Sequence, residues 1–307
     1  MSGAMTVERP TAVAAASEPA PSFIGLVRGE VLKLTRSWLT WLLLVIVAGP
    51  VVFLFLVAGS TDRFKFDLAH NPLVYYYQTG EAGLSVFRVF SGIALIILTA
   101  RLIGIEYSGG TIRVLLSRGV GRVQLMAAKL VTLALLALVM LAGGVLLVYI
   151  GSFGVAHFIN SGDTTKVLND AYWSDMRLYV VTIAINMAVT ILMAAAASAI
   201  GRGLTIGLSL ALAFFPVDNI GGQLMGLATA LTGSQFWVNL TGWWLGPNLN
   251  SMPRVALPER FGQEALSVGT PPQVTVDGGH TLVVAAVYAV VFLAITLGLT
   301  WYRDVTE

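Results

Sequence analysis

The chain contains no cysteine and few charged residues. Without cysteine, disulfides, thiolate metal sites and cysteine nucleophiles are all excluded. Only 11% of the 307 residues are charged, whereas soluble domains carry about 25%. With 56% hydrophobic residues and a mean hydropathy of +0.81, a soluble form would expose large apolar patches. The composition therefore argues against a soluble enzyme or a disordered chain and predicts an integral membrane protein.

Motifs that carry chemistry within a single chain are also missing. There is no G-x-x-x-x-G-K-[ST] phosphate loop, so the chain is not expected to hold ATP itself. The three histidines have no zinc-ligand spacing, and no G-x-S-x-G serine motif occurs. Ionisable residues are scarce within the apolar runs, which argues against proton coupling or intramembrane proteolysis. We expect no bound cofactor or metal, and a net charge of +2 gives no reason to expect nucleic acid as a partner.

Long apolar runs without charge make up most of the sequence. A charge at the centre of a bilayer costs about 2.5–3.5 kcal/mol, so charged residues mark the ends of membrane spans. The runs are continuously apolar rather than alternating, which favours helices over a membrane β-barrel. They predict an all-α polytopic membrane protein with six transmembrane helices at about 38–59, 86–105, 127–150, 178–200, 203–217 and 281–302. The span at 203–217 is short, and it could begin in the turn at Gly201 or end in protein-lined space near Pro216.

The distribution of Lys and Arg predicts the orientation. With six spans and both termini in the cytoplasm, eleven of the 18 basic residues and six of the 16 acidic residues fall on the inner side. The short inner loops then hold the positive excess, as the positive-inside rule requires. We therefore expect a multi-pass protein of the plasma membrane with cytoplasmic termini.

The segment before the first span is predicted to be an amphipathic helix over 22–37, preceded by a disordered cytoplasmic tail at 1–21 that is rich in Ala, Pro, Ser and Thr. Ser22 is a suitable N-cap. The apolar side chains fall on one face of this helix, which predicts a position in the inner headgroup layer. The opposite face carries the basic residues Arg28, Lys33 and Arg36. A simple basic anchor remains an equal reading of the same pattern.

The outer segment 218–280 is not uniformly polar. Two apolar stretches, 220–231 and 236–245, are too short to span and predict short interfacial or re-entrant helices before the last span. The second stretch carries three tryptophans, which indicate an aromatic belt at the membrane surface or, less simply, a contact with substrate.

The inner loop after the second span has a pattern of its own, Glu106-Tyr-Ser-Gly-Gly-Thr-Ile-Arg-Val-Leu-Leu-Ser. Gly109 and Gly110 interrupt the preceding helix, and Thr111 can cap a short helix over 112–117. Such a helix at the cytoplasmic face would suit a contact with a partner. Basic residues would be found here in a simple topogenic loop as well, so charge alone leaves both readings open.

This loop resembles the corresponding region of ABC-2 type transporter permeases. Glu106 is followed by the Gly-Thr pair, a short apolar helix, a basic residue at Arg122 and then Lys129, which opens the next span. The amphipathic helix, the six spans and the short outer helices are similar to the same family over about residues 22–304.

The resemblance implies a transport subunit rather than an enzyme, with ATP and Mg bound by a separate cytoplasmic ATPase subunit. It also implies a second permease copy, identical or different. Loop 104–122 would be the coupling helix that contacts the ATPase, and the turn at Arg202 would be a second contact. The residues implied in coupling are Glu106, Tyr107, Gly110, Thr111, Ile112, Arg113, Leu116 and Arg202.

The expected function is export of an amphipathic substrate, which could be lipid-like, a drug or a peptide. A hypothesis of a different class also stands at this point. The acidic, aromatic outer loops could belong to a membrane-embedded enzyme or accessory protein that acts on an extracytoplasmic partner.

Overall fold

The computed structural model describes residues 22–108, 119–159, 164–256 and 271–302, and within these ranges its regular structure is entirely helical. A short 3₁₀ helix, Thr164–Val167, precedes the fourth long helix. The ten α-helices of these ranges are α1 Phe23–Thr35, α2 Trp38–Ser60, α3 Asp62–His70, α4 Pro72–Ser108, α5 Arg122–Ile159, α6 Asp170–Gly201, α7 Leu204–Thr232, α8 Gln235–Thr241, α9 Leu245–Ala256 and α10 Gly278–Tyr302.

Five of these helices, α2, α4, α5, α6 and α10, are long and apolar enough to cross a membrane. They contain the predicted spans at 38–59, 86–105, 127–150, 178–200 and 281–302. Helix α7 contributes a shorter apolar stretch, Leu204–Phe214. The part of the chain that the structure describes is therefore an all-α membrane protein with five candidate spans, and the sixth span at 203–217 stays a prediction.

The amphipathic helix expected at 22–37 is present as α1. The side chain of Ser22 accepts a hydrogen bond from the backbone N–H of Gly25 at 3.1 Å, which is the expected N-cap. The face of α1 that packs on α5 contains buried Glu30 and Leu34, whereas Ile24 is 79% exposed. The apolar face is thus shared between protein and surroundings, and one acidic side chain points into the protein.

The central helices are α4 and α6. In their most apolar stretches, 67% and 56% of the residues are buried, against 28% for α2 and 17% for α10. The largest cluster of buried apolar side chains joins α2, α4, α5 and α6. The outward faces of α2 and α10 are rich in exposed large apolar residues, as expected of surfaces that meet lipid or another membrane protein.

Helices α4, α5 and α6 extend well beyond the predicted spans. With 37, 38 and 32 residues they measure about 56, 57 and 48 Å, whereas the hydrocarbon core of a bilayer is about 30 Å thick. The extra turns bury the tyrosine run of α4: the hydroxyl of Tyr75 donates to the Ser152 carbonyl at 3.1 Å, and that of Tyr77 donates to Asp175 Oδ2 at 2.6 Å. The spanning helices therefore continue beyond the predicted bounds into residues 72–85, 151–159 and 170–177.

Helix α7 is longer than the span predicted at 203–217, because it continues through Pro216 to Thr232 and includes the apolar stretch at 220–231. A proline within a helix is tolerated where neighbouring helices surround it. At its start α7 touches α4, since a Cβ added to Gly104 would lie 2.6 Å from the Cα of Leu204. Farther along, a Cβ added to Gly221 would lie 3.0 Å from the Trp244 ring, beside α9. Helix α7 therefore runs from the Gly104 level of α4 to the level of α9.

Candidate functional site

Four charged side chains meet where α1, α4 and α5 converge, and we call them the ionic cluster: Glu30, Lys33, Glu106 and Lys129. Glu30 and Lys33 lie one turn apart on α1, so both reach the same side. Glu106 lies in the last turn of α4, and Lys129 lies in the second turn of α5. The loop that joins α4 to α5 therefore leaves and returns beside this cluster.

In the cluster, acidic and basic side chains alternate around a closed ring of ion pairs. Lys33 Nζ lies 2.6 Å from Glu30 Oε1 and 2.6 Å from Glu106 Oε1. Lys129 Nζ lies 2.9 Å from Glu30 Oε2 and 2.8 Å from Glu106 Oε1. Each carboxylate thus pairs with both ammonium groups, and the formal charge of the four groups sums to zero.

Lys129 is the most enclosed cation of the cluster, with only 3% of its side chain exposed. An ammonium group has three donors. In addition to the two carboxylates, Lys129 Nζ donates to the Leu102 carbonyl at 3.1 Å, so all three are used. An unpaired ammonium would not be tolerated at this depth, and the pairing therefore depends on the exact register of α1 and α4 against α5.

Lys33 closes the cluster on the solvent side, with 51% of its side chain exposed. Partial burial on its own would lower the pKa of Lys33, but hydrogen bonds and charge from Glu106 and Glu30 outweigh it and raise the pKa above its ordinary value. Lys33 therefore carries its charge throughout the physiological pH range and holds two acids of different helices together.

The negative charge of Glu106 lies in a less favourable environment than that of Glu30. It lies at the C-terminal end of α4, where the helix dipole disfavours a negative charge by about 0.3–1 kcal/mol. Among the residues that the structure describes, no group donates a hydrogen bond to its buried Oε2 atom. Such an acid is held by its two lysines, and a change in the position of either lysine would be felt directly at the end of α4.

The turn at Arg202 lies close to the same end of α4. Arg202 adopts a left-handed backbone conformation (φ 52°, ψ 21°) and ends α6, while Gly203 N-caps α7. The backbone of Leu204 contacts Gly104, one half-turn before Glu106 in α4. The structure therefore brings two elements of the predicted site together: the end of α4 that carries Glu106, and the turn that carries Arg202.

The other predicted site residues are placed as follows. Arg28 is exposed on α1 and Arg36 is exposed at its C-cap, whereas Lys33 belongs to the ionic cluster. Tyr107 lies in the last turn of α4, but its side chain is outside what the structure describes. Five residues of the predicted coupling helix lie outside the described ranges: Gly110, Thr111, Ile112, Arg113 and Leu116.

The pairing roles of Glu30 and Lys129 were not predicted from the sequence. In the sequence, Glu30 is an acidic residue in the predicted helix 22–37, and Lys129 opens the third span. One signal was available: Glu30 and Lys33 are spaced i, i+3 with opposite charge on a helix that was otherwise basic. Their long-range partners, 73 and 99 residues away, could not be read from that spacing.

A second buried charged group lies nearer the start of α4, and its role was not predicted from the sequence either. Arg88, near the start of the span predicted at 86–105, is only 6% exposed and lies inside the protein. Its Nη1 donates to the Leu249 carbonyl of α9 at 3.0 Å, and its Nη2 donates to Asn250 Oδ1 at 3.4 Å. Pro253 has no N–H for the carbonyl four residues earlier, so Arg88 takes the place of that donor at Leu249. About 27 Å of helix separates Arg88 from Glu106, so α9 and the ionic cluster lie at opposite ends of the bundle.

Comparison with protein-family models matches residues 26–217 to the family described as ABC-2 family transporter protein. The match covers more than half of the chain, and it includes the ionic cluster and the turn at Arg202. The chain is also similar to the uncharacterized protein YhcI of Bacillus subtilis (strain 168). The two are 26% identical over 243 residues, which cover 76% of this chain and 70% of that protein.

Proposed function

Because the chain belongs to the ABC-2 transporter family and is a membrane permease component, we propose that the ionic cluster couples it to a cytoplasmic ATPase subunit. The proposed transporter contains that ATPase, which binds ATP and Mg, and a second permease copy. Its substrate class is amphipathic: lipid-like, drug or peptide, moved outward across the plasma membrane. Family membership favours this reading over an enzyme or accessory protein that acts through its outer loops.

The observation that carries the proposal is the position of the ionic cluster. The predicted coupling loop leaves the last turn of α4, which carries Glu106, and returns at the start of α5, whose second turn carries Lys129. A force on that loop would reach the ends of both helices, and through Lys33 and Glu30 it would also reach α1. The three helices would therefore move together, as coupling of a partner's motion to the bundle requires.

The contact between Gly104 and Leu204 supports transmission to α7. Packed cores deform little, so a shift of the end of α4 pushes on the backbone of the turn after Arg202. In the proposed transporter, loop 104–122 and the Arg202 turn both face the ATPase. The first, second and fifth predicted spans, in α2, α4 and α7, then line the route between two permeases, and α2 and α7 each pack on α4 in this chain.

The proposal is tested with Glu106→Gln in the permease assembled with its ATPase subunit in nanodiscs. Glutamine keeps the size of the side chain but removes the charge that attracts both lysines. We expect the complex to assemble, while stimulation of ATP hydrolysis by the permease falls at least about fivefold, the scale of a typical coupling free energy. The matched control is Asp62→Asn, which removes a fully exposed carboxylate from a surface pair with Lys65 and should leave stimulation unchanged.

A double variant separates coupling from stability. Removing one member of a buried pair costs about 3–5 kcal/mol, because the remaining charge loses its partner. In Glu106→Gln/Lys33→Met the charge balance is restored, so the thermal unfolding midpoint should recover towards that of the natural chain. Stimulation should stay low, because the link between α1 and α4 is still missing. Full recovery of stimulation in the double variant would contradict a coupling role, as would failure of the tagged permease to co-purify any ATP-binding subunit.

A further inference from the structure

A cavity of about 510 Å³ opens at the end of the bundle opposite the ionic cluster. Three stretches of chain form its walls: the end of α8 with the turn after it, the segment 274–277, and the first turn of α10. The polar and aromatic side chains that line it are Asn239, Trp243, Thr275, Asp277 and His280. The volume falls within the range of about 300–1,000 Å³ that is common for sites of small molecules.

The walls of this cavity are fixed by hydrogen bonds between stretches that are distant in sequence. The backbone N–H of Gln273 donates to Thr241 Oγ1 at 2.9 Å, and its side-chain amide donates to the Gly222 carbonyl at 2.8 Å. His280 Nε2 lies 2.6 Å from the Gly242 carbonyl. These bonds tie segment 274–277 and α10 to α7 and α8, so the cavity is formed before any ligand enters. A preformed cavity spares a ligand the cost of ordering its walls.

An exposed aromatic ring lines the cavity. Trp243 is 57% exposed although it lies in a turn held between two helices. The His280 ring contacts it, with centroids 4.7 Å apart and planes inclined at 66°, and this contact sets the orientation of the indole. Because a carbonyl can only accept, the bond to Gly242 requires a proton on His280 Nε2. In the neutral ring Nδ1 is then an acceptor.

The carboxylate of Asp277 gives the cavity a negative charge. Asp277 Oδ1 accepts the backbone N–H of His280 at 2.7 Å, which caps the start of α10, and a carboxylate can accept several further bonds. Among the described residues that line the cavity, none is Lys or Arg. A carboxylate beside an exposed indole is the combination that attracts organic cations, because the charge pairs with the acid while the methyl or methylene groups lie on the ring.

We propose that this cavity binds the ammonium group of an organic cation, with Trp243 against its carbon atoms and Asp277 against its charge. The ammonium group could belong to a lipid headgroup or to a free cationic molecule, since both present the same chemistry at this surface. The site is a property of the permease chain alone and does not depend on the proposed coupling to an ATPase.

The test is calorimetric titration of the full chain in nanodiscs of phosphatidylglycerol, which carries no ammonium group. Choline is the ligand, and 3,3-dimethyl-1-butanol is its neutral analogue of nearly the same shape. Choline should bind at least about tenfold more tightly than the alcohol, because only choline pairs with the carboxylate and the ring. Equal binding of the two, or no binding of choline, overturns the proposal. Repetition in phosphatidylcholine distinguishes the sources: weaker choline binding there identifies the lipid headgroup as occupant, and unchanged binding identifies a free cation.

Two variants assign the binding to this cavity. Asp277→Asn removes the charge but keeps an oxygen for the cap, since Asn caps helices as well as Asp does. Trp243→Leu removes the ring and keeps an apolar side chain. Each should weaken choline binding roughly fivefold or more. The matched controls are Asp62→Asn and Trp301→Leu, both at exposed positions outside the cavity, and they should leave the affinity unchanged. Unchanged affinity in both cavity variants would place the binding elsewhere and overturn the assignment.

Discussion

At the scale of the residue, the charged side chains that bound the apolar runs do not all extend to the membrane surface. The usual expectation is that Lys and Arg at the end of a span extend to the headgroups. Lys129 and Arg88 instead point into the protein, where each finds acceptors on other helices. Glu106 could be named in advance from its place in a motif, but its partners could not, because the pairing depends on how α1 lies across α5.

A first prediction concerns Arg88. Replacing it with Leu leaves the Leu249 carbonyl, already deprived of the Pro253 N–H, without this donor in a buried position. An unsatisfied buried carbonyl costs about 1–3 kcal/mol, so Arg88→Leu should lower the thermal unfolding midpoint of the protein in detergent. It should also increase proteolysis around α9, which loses an anchor on α4.

The control for this experiment is Arg177→Leu. Arg177 also donates to a carbonyl, that of Trp173, but at an exposed site on α6 where water can replace it. Its loss should change stability by less than about 0.5 kcal/mol. Equal effects of the two substitutions would show that the buried bond to α9 contributes nothing beyond a surface contact.

At the scale of the element, the sequence located the cores of five long helices but not their ends. Charged residues predict the ends of spans, yet α4 contains Glu81, Arg88 and Arg101, and α7 continues through Pro216 and Asp218. The reason is physical: a charge ends a span only when it must reach water. Where neighbouring helices supply partners, as they do for Arg88, the helix continues.

A second prediction concerns the contact of α4 with α7. In Gly104→Ala the new Cβ would lie 2.6 Å from the Leu204 Cα, and a backbone atom cannot move aside cheaply. Overpacking of this kind costs about 1–3 kcal/mol, so the unfolding midpoint should fall. Because the strain is placed next to Glu106 and the Arg202 turn, ATPase stimulation should fall as well.

The matched control is Gly92→Ala in the same helix, where nothing lies within 4 Å of the added Cβ. Alanine is the better helix former by about 1 kcal/mol, so this variant should be as stable as the natural chain or more so. If Gly104→Ala behaved in the same way, the close approach of α4 and α7 would be absent in the folded protein.

At the scale of the whole molecule, the ionic cluster and the cavity near Trp243 lie at opposite ends of one bundle. The distribution of Lys and Arg predicts which end of the bundle faces the cytoplasm, but that prediction assumes six spans. The helix that decides the matter is α7, which contains the predicted span at 203–217. Helix α7 contacts Gly104 at one end and Trp244, next to α9, at the other. Gly104 and Arg88, the residue of α4 that contacts α9, are separated by about 24 Å of helix, which favours a crossing by α7.

The last prediction tests this topology with single cysteines, which the chain itself lacks. Suitable positions are Gly29 on α1, Asp62 on α3 and Gln235 on α8, all exposed. A membrane-impermeant maleimide added to intact cells should label Asp62→Cys and Gln235→Cys, and it should label Gly29→Cys only after the membrane is opened. A five-span chain would instead put Gln235 on the side of Gly29, because only α7 distinguishes the two arrangements. Labelling of Gly29→Cys in intact cells, with Asp62→Cys protected, would reverse the orientation and contradict the positive-inside argument.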